Sequence, residues 1–120
     1  KQVVDFTEGK WNGKLSAKAQ EGKKLFEDKE VACASCHPGP LFTTLKLYDV
    51  GTTGQLDRGA KEFDTPTLIE LWKTGPFLHD GAAATLMDVL TTNNKGDKHG
   101  KTSHLSQQQK EALVAYLLSL

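Results

Sequence analysis

The residues best equipped for chemistry lie together in VACASCHPGPLF, residues 31–42. Both cysteines of the chain, Cys33 and Cys36, stand there, and His37 follows directly. On a helical turn, residues spaced by three and four share one face, so His37 joins the two thiols. Thiols so placed add to the two vinyl groups of a haem while the imidazole reaches the iron, and C-x-x-C-H is the spacing of c-type haem attachment. Two rival chemistries use the same residue types. A structural zinc site needs four ligands, usually a second C-x-x-C or a matched His pair. His79, His99 and His104 are the available partners, but adjacent Cys36 and His37 make poor joint ligands. A thiol redox pair expects a βαβ context, which this sequence lacks. Haem is the favoured reading.

Composition is compatible with that reading. The chain has 120 residues, enough for one domain with a modest core. Its apolar content, 38%, is low for a chain that closes a core unaided, and a large apolar cofactor would help. Fifteen basic residues balance fifteen acidic ones, so bulk charge gives no case for nucleic acid or an anionic membrane. No uncharged apolar run approaches a transmembrane span. The chain opens on Lys1-Gln2-Val3 rather than methionine, so the expectation is a processed protein or a piece of a longer one.

The elements that must position the motif read as helical. Residues 1–15 have no clean period and are expected to be an irregular lead-in or linker before a mono-haem domain over 16–120. Ser16 reads as the N-cap of a helix over roughly 17–28, with Ala19, Leu25 and Phe26 inward. Gly22 in its middle points to close packing against another element. Residues 38–64, with Pro38, Pro40 and several glycines, are expected to form a long loop, a length suited to wrapping a cofactor. Asp64 or Thr65 is expected to cap a short helix carrying Leu68, Leu71 and Trp72. A second short helix is expected over about 83–92, with Leu86, Val89 and Leu90 on one face. After a polar loop, Ser106 and Gln109 have the capping-box form and open a last helix running to Leu120. Lys23, Lys24 and Lys29 alternate with Glu21, Glu27, Asp28 and Glu30, which reads as a solvated face.

The motif and the segments after it resemble the bacterial di-haem cytochrome c peroxidase family. The resemblance rests on CASCHPGPLFT, then Asp49-Val-Gly51-Thr, Phe63-Asp-Thr65-Pro66-Thr-Leu68, Thr74-Gly-Pro76-Phe-Leu-His79-Asp80-Gly81 and Ala84-Thr85-Leu86. The closing LSQQQKEALVAYLLSL is similar to that family's last helix. The similarity falls on the family's second, electron-accepting haem domain, and implies an all-α cytochrome c fold with one covalent haem c and long loops. Peroxide chemistry belongs to the family's first haem domain, so the resemblance implies electron transfer here. Covalent haem c is attached outside the cytoplasm, so the expectation is a periplasmic or otherwise exported protein that works with a redox partner protein or a neighbouring redox domain. The family's calcium, bound through carbonyls at the positions of Thr74 and Pro76 and a side chain of the first domain, does not carry over.

The expected haem set is Cys33 and Cys36 for attachment and His37 as the proximal iron ligand. Across the iron, the position where the family carries a methionine is Asn93, a poor ligand. The candidate distal ligands are ordered His99, then Met87 (the chain's one methionine), then His104, then an open or water-bound iron. His79 is read as a loop-locking histidine, Trp72 as core or pocket lining, and Trp11 as packing on this domain or a neighbour. The rival functions are a domain of a peroxidase-like multi-haem enzyme and a ligand-binding or sensing haem domain.

Overall fold

The structure, a computed structural model, describes residues 10–11 and 14–120, with side chains from Lys14 onward. Most of the lead-in, and the Trp11 side chain, lie outside the described residues. Within the lead-in, β1 (Lys10–Trp11) pairs antiparallel with β2 (Lys14–Leu15). Ser16 then takes an extended conformation and its Oγ accepts the Ala19 N–H at 3.0 Å, starting α1 (Ala17–Glu27). Asp28 ends the helix, and its carboxylate accepts the N–H groups of Glu30 and Val31, turning the chain toward the motif. The motif itself forms the single turn α2 (Cys33–Cys36).

The expected long loop over 38–64 is largely irregular. It contains β3 (Leu47–Tyr48), which pairs antiparallel with β4 (Phe63–Asp64), and a 3₁₀ turn at Gln55–Asp57. Beyond it, the expected helix from Asp64 or Thr65 does not form. Asp64 is in β4, and Thr65 donates its N–H and its Oγ1 to the Lys46 carbonyl while its own carbonyl accepts from Thr43 Oγ1. These bonds from distant parts of the sequence hold Thr65 outside a helix, against the local capping signal. Glu70 then adopts a left-handed backbone, and only a 3₁₀ turn at Leu71–Lys73 follows. The burial pattern survives the change, with Leu68 and Leu71 buried and Trp72 half-buried.

The next helix is shorter than expected. Ala83 is held in a bridge with Phe77, so α3 (Leu86–Leu90) begins only at Thr85, in a capping box with Asp88. A polar loop with a 3₁₀ turn at Lys95–Asp97 leads to Ser106, which caps α4 (Gln107–Leu117) in a box with Gln109. This helix stops three residues short of the expected Leu120.

The core lies where α1 packs on α4, joined by Val31, Leu68, Leu71, Leu86, Leu90 and Leu105. Phe26 meets Tyr116 edge-to-face at 5.3 Å between centroids, and meets Phe42 at 6.0 Å. Gly22 is the point of closest approach, because a β-carbon there would collide with the Ala112 carbonyl. Gly22→Ala should gain about 1 kcal/mol of helix propensity and lose more through backbone displacement, on the order of 1–3 kcal/mol for overpacking. The net expectation is a lower denaturation midpoint, and a raised midpoint would contradict the packing described here.

Candidate functional site

Burial of Val31 fixes where the motif begins. Its side chain is 1% exposed in the core, and α2 starts two residues later. The His37 N–H donates to the Cys33 carbonyl at 3.0 Å, closing the turn that brings Cys33, Cys36 and His37 to one side. Both cysteines are free thiols, and burial pushes Cys33 up to about 11, so it is uncharged at neutral pH. The His37 ring is buried, and its Nδ1–H donates to the Phe42 carbonyl at 2.9 Å. In the neutral ring this leaves the lone pair on Nε2. Burial holds the His37 pKa below the ordinary value, against the opposing pull of the Phe42 and Pro66 carbonyls. Phe42 packs on Phe26, so the orientation of His37 is tied to the helix pair beneath it.

Of the four histidines, His99 is the one brought to His37. The two ring centroids are 6.5 Å apart with 33° between the ring planes. Metal–imidazole bonds of about 2 Å on either side of one ion, with half a ring beyond each, give a centroid separation of about 6 Å. The observed spacing therefore fits one metal between the rings. His99 is also in the protonation state that a ligand requires. Burial, and then the proximity of His37, lower its pKa to about 4. Its Nδ1 is enclosed without a hydrogen-bond partner, a buried polar atom that the protein leaves unsatisfied.

The segment carrying His99 is held against the motif. Lys101 N–H donates to the Val31 carbonyl at 2.9 Å. Gly100, at φ +81°, permits this approach: a β-carbon there would stand 3.2 Å from the Val31 oxygen and 3.6 Å from Cys33 Sγ. Inside the loop, Asn94 Nδ2 donates to the Gly100 carbonyl and to Thr102 Oγ1, while Asn94 Oδ1 accepts the His99 N–H. Thr102 Oγ1 donates in turn to the Leu90 carbonyl at the end of α3. The Asp97 carboxylate accepts from the Thr102 N–H and from the Ser103 N–H and hydroxyl.

The remaining candidates sit elsewhere in the fold. Met87 is half-buried on α3, where its carbonyl accepts from Thr91 Oγ1. Asn93 donates its N–H to the Asp88 carbonyl at the end of the same helix. His104 is exposed, ahead of α4. His79 is engaged by Asp57 at 2.9 Å and stacks on Phe63 at 3.7 Å, linking its loop to the 3₁₀ turn at Gln55–Asp57 and to β4. Among the described residues, no group of three or more His, Cys, Asp or Glu side chains is arranged to hold a metal ion. Sequence reasoning missed Asn94 and Thr102, whose polar residue types in a polar loop give no periodic signal.

The His79–Asp57 link gives a pH prediction. The Asp57 pKa is lowered, first by the Gly54 N–H and then by His79. A lowered carboxyl contributes stability above its unfolded value, and that stability is lost as pH falls through the folded value. Asp57→Asn should lower the melting temperature at neutral pH and flatten its decline below about pH 4. An acid limb identical to wild type would contradict this.

Comparison with known proteins shows what the chain as a whole is similar to. The cytochrome c family model matches residues 19–120. Hydrazine synthase subunit gamma of Kuenenia stuttgartiensis is 36% identical, over 91% of this chain and 42% of that protein. Cytochrome-c peroxidase IdrP1 of Denitromonas iodatirespirans is 29% identical, over 88% of this chain and 41% of that one. A solved structure of Kuenenia stuttgartiensis hydrazine synthase superposes with a TM-score of 0.82 and 36% identity, covering 92% of this chain and 48% of that one. The chain thus spans less than half the length of these relatives.

Proposed function

The chain belongs to the cytochrome c family, and from that premise we propose that residues 16–120 are a mono-haem electron-transfer domain with His37 and His99 as the two axial iron ligands. Haem c, covalently bound, is the cofactor of the family, and haem-based electron transfer is its chemistry. In this reading Cys33 and Cys36 supply the thioether bonds and His37 the proximal nitrogen. The observation that carries the assignment is the 6.5 Å spacing of the His37 and His99 rings.

When bound, the haem supplies a one-electron couple, and the protein tunes it through axial ligation, hydrogen bonding and burial. The chain's own residues do three things. Two neutral imidazoles add no charge to the site. The hydrogen bond from His37 Nδ1–H to the Phe42 carbonyl makes that ring a better donor to a metal. The loop around Asn94 and Thr102 keeps the far side enclosed. Histidine on both faces is expected to give a lower reduction potential than the His/Met pair that the peroxidase resemblance implied.

With His37 and His99 both held by the iron, the haem would have no resting open site for peroxide and would be suited to relaying electrons. This suits a module of a larger exported redox protein, with a redox partner or a neighbouring redox domain as its counterpart. Two observations support the modular reading. The chain covers 41–42% of its relatives' length. Leu41, Leu45, Leu47 and Leu56 are exposed, apolar surface of the kind a neighbouring domain covers. Export follows from the chemistry, since haem c is attached outside the cytoplasm. Among the described residues, no helix is long and apolar enough to cross a membrane.

Optical spectra of the holo protein in both oxidation states test this reading. Wild type should be six-coordinate and low-spin in each state. His99→Ala should convert much of the haem to a high-spin form, and Met87→Ala should leave the spectrum unchanged. A low-spin spectrum lost only in Met87→Ala would overturn the ligand assignment. A resting high-spin wild type at neutral pH would overturn the electron-transfer reading.

A further inference from the structure

The two facing histidines are supported in different ways. His37 is oriented through its ring, by Nδ1–H donating to the Phe42 carbonyl. His99 has no such restraint, because its Nδ1 is buried and meets no partner. A metal-ligating histidine ordinarily donates its other N–H to a carbonyl or carboxylate that fixes the ring. The hydrogen bond from a side chain to His99 is made instead at its backbone N–H.

That backbone is gripped by one side chain. Asn94 is 7% exposed and uses both ends of its amide. Oδ1 accepts the His99 N–H at 2.8 Å, and Nδ2 donates to the Gly100 carbonyl at 2.9 Å. The amide orientation is fixed by chemistry, since an N–H must meet Oδ1 and a carbonyl must meet Nδ2. Nδ2 also donates to Thr102 Oγ1, which is anchored to the Leu90 carbonyl. His99 is thus bracketed before and after its Cα and referred to the end of α3. We infer that Asn94 is the positioning residue of the distal ligand, doing through the backbone of His99 what the Phe42 carbonyl does through the ring of His37. The inference rests on the reading of His99 as an iron ligand.

The test compares ferric holo protein of wild type, Asn94→Ala, Thr102→Val and His99→Ala. Asn94→Ala should acquire a high-spin fraction, recover the low-spin spectrum on addition of imidazole, and bind cyanide about tenfold faster or more, the scale on which outer-shell changes act at metal sites. Thr102→Val leaves the bond between Asn94 and the His99 N–H in place. It should lose melting temperature but keep the low-spin spectrum. A folded Asn94→Ala protein with wild-type spectrum and cyanide kinetics would overturn the inference, as would equal high-spin fractions in Asn94→Ala and Thr102→Val. Should Asn94→Ala fail to assemble, Asn94→Ser is read by the same outcomes. If His99→Ala retains the wild-type spectrum, the ligand assignment itself fails. If that spectrum depends on His99 but not on Asn94, only the positioning role fails.

Discussion

The backbone hydrogen bond from Lys101 N–H to the Val31 carbonyl, 2.9 Å long, holds the loop that carries His99 against the segment that leads into Cys33. The two histidines are far apart in sequence, and this bond refers both to the same buried valine. On one side of Val31 the chain turns through Cys33 and Cys36 to His37. On the other, Gly100 brings the loop in with no side chain in the way. That contact is one of those that set the distance between the two imidazoles. A single backbone bond is worth only about 1 kcal/mol net, so the arrangement depends on its neighbours as well. Those neighbours are the buried Val31 side chain, the Asn94 amide and the Thr102 hydroxyl.

The site therefore combines an apolar foundation with a polar clamp. Below His37, Phe42 rests on Phe26, which rests on Tyr116, so the segment that holds the His37 ring is tied to the packing of α1 on α4. On the His99 side a satisfied polar network holds the loop. Asn94 and Thr102 are both buried, yet each polar end of their side chains has a partner. Such networks are rigid when complete and costly when one member is missing. Within this one, Asn94 is the member that touches the His99 backbone, and Thr102 supports Asn94 from the end of α3.

Legibility in the sequence followed the range of the interactions. Ser16 and Ser106 announced their helices because a cap acts within three residues. Gly22 announced a close contact because its helix-propensity cost had no other explanation, and the C-x-x-C-H spacing announced the attachment chemistry. Thr65 and Pro66 gave a helix-start signal that failed because Lys46 and Thr43, far along the chain, captured Thr65 in extended form. The helix expected from residue 83 was shortened for a similar reason, the bridge between Ala83 and Phe77. At the candidate site, a histidine between glycines could be named from sequence, but Asn94 could not. Its role exists only once the loop has closed on itself.

The central claim is that nitrogen ligates the iron on both faces, from His37 and His99. Near-infrared magnetic circular dichroism of the ferric holo protein tests it most directly, because the charge-transfer band separates nitrogen–nitrogen from nitrogen–sulfur axial pairs and both from high-spin haem. The account predicts a single bis-nitrogen band at neutral pH. A nitrogen–sulfur band, placing Met87 on the iron, or a high-spin signature would contradict it.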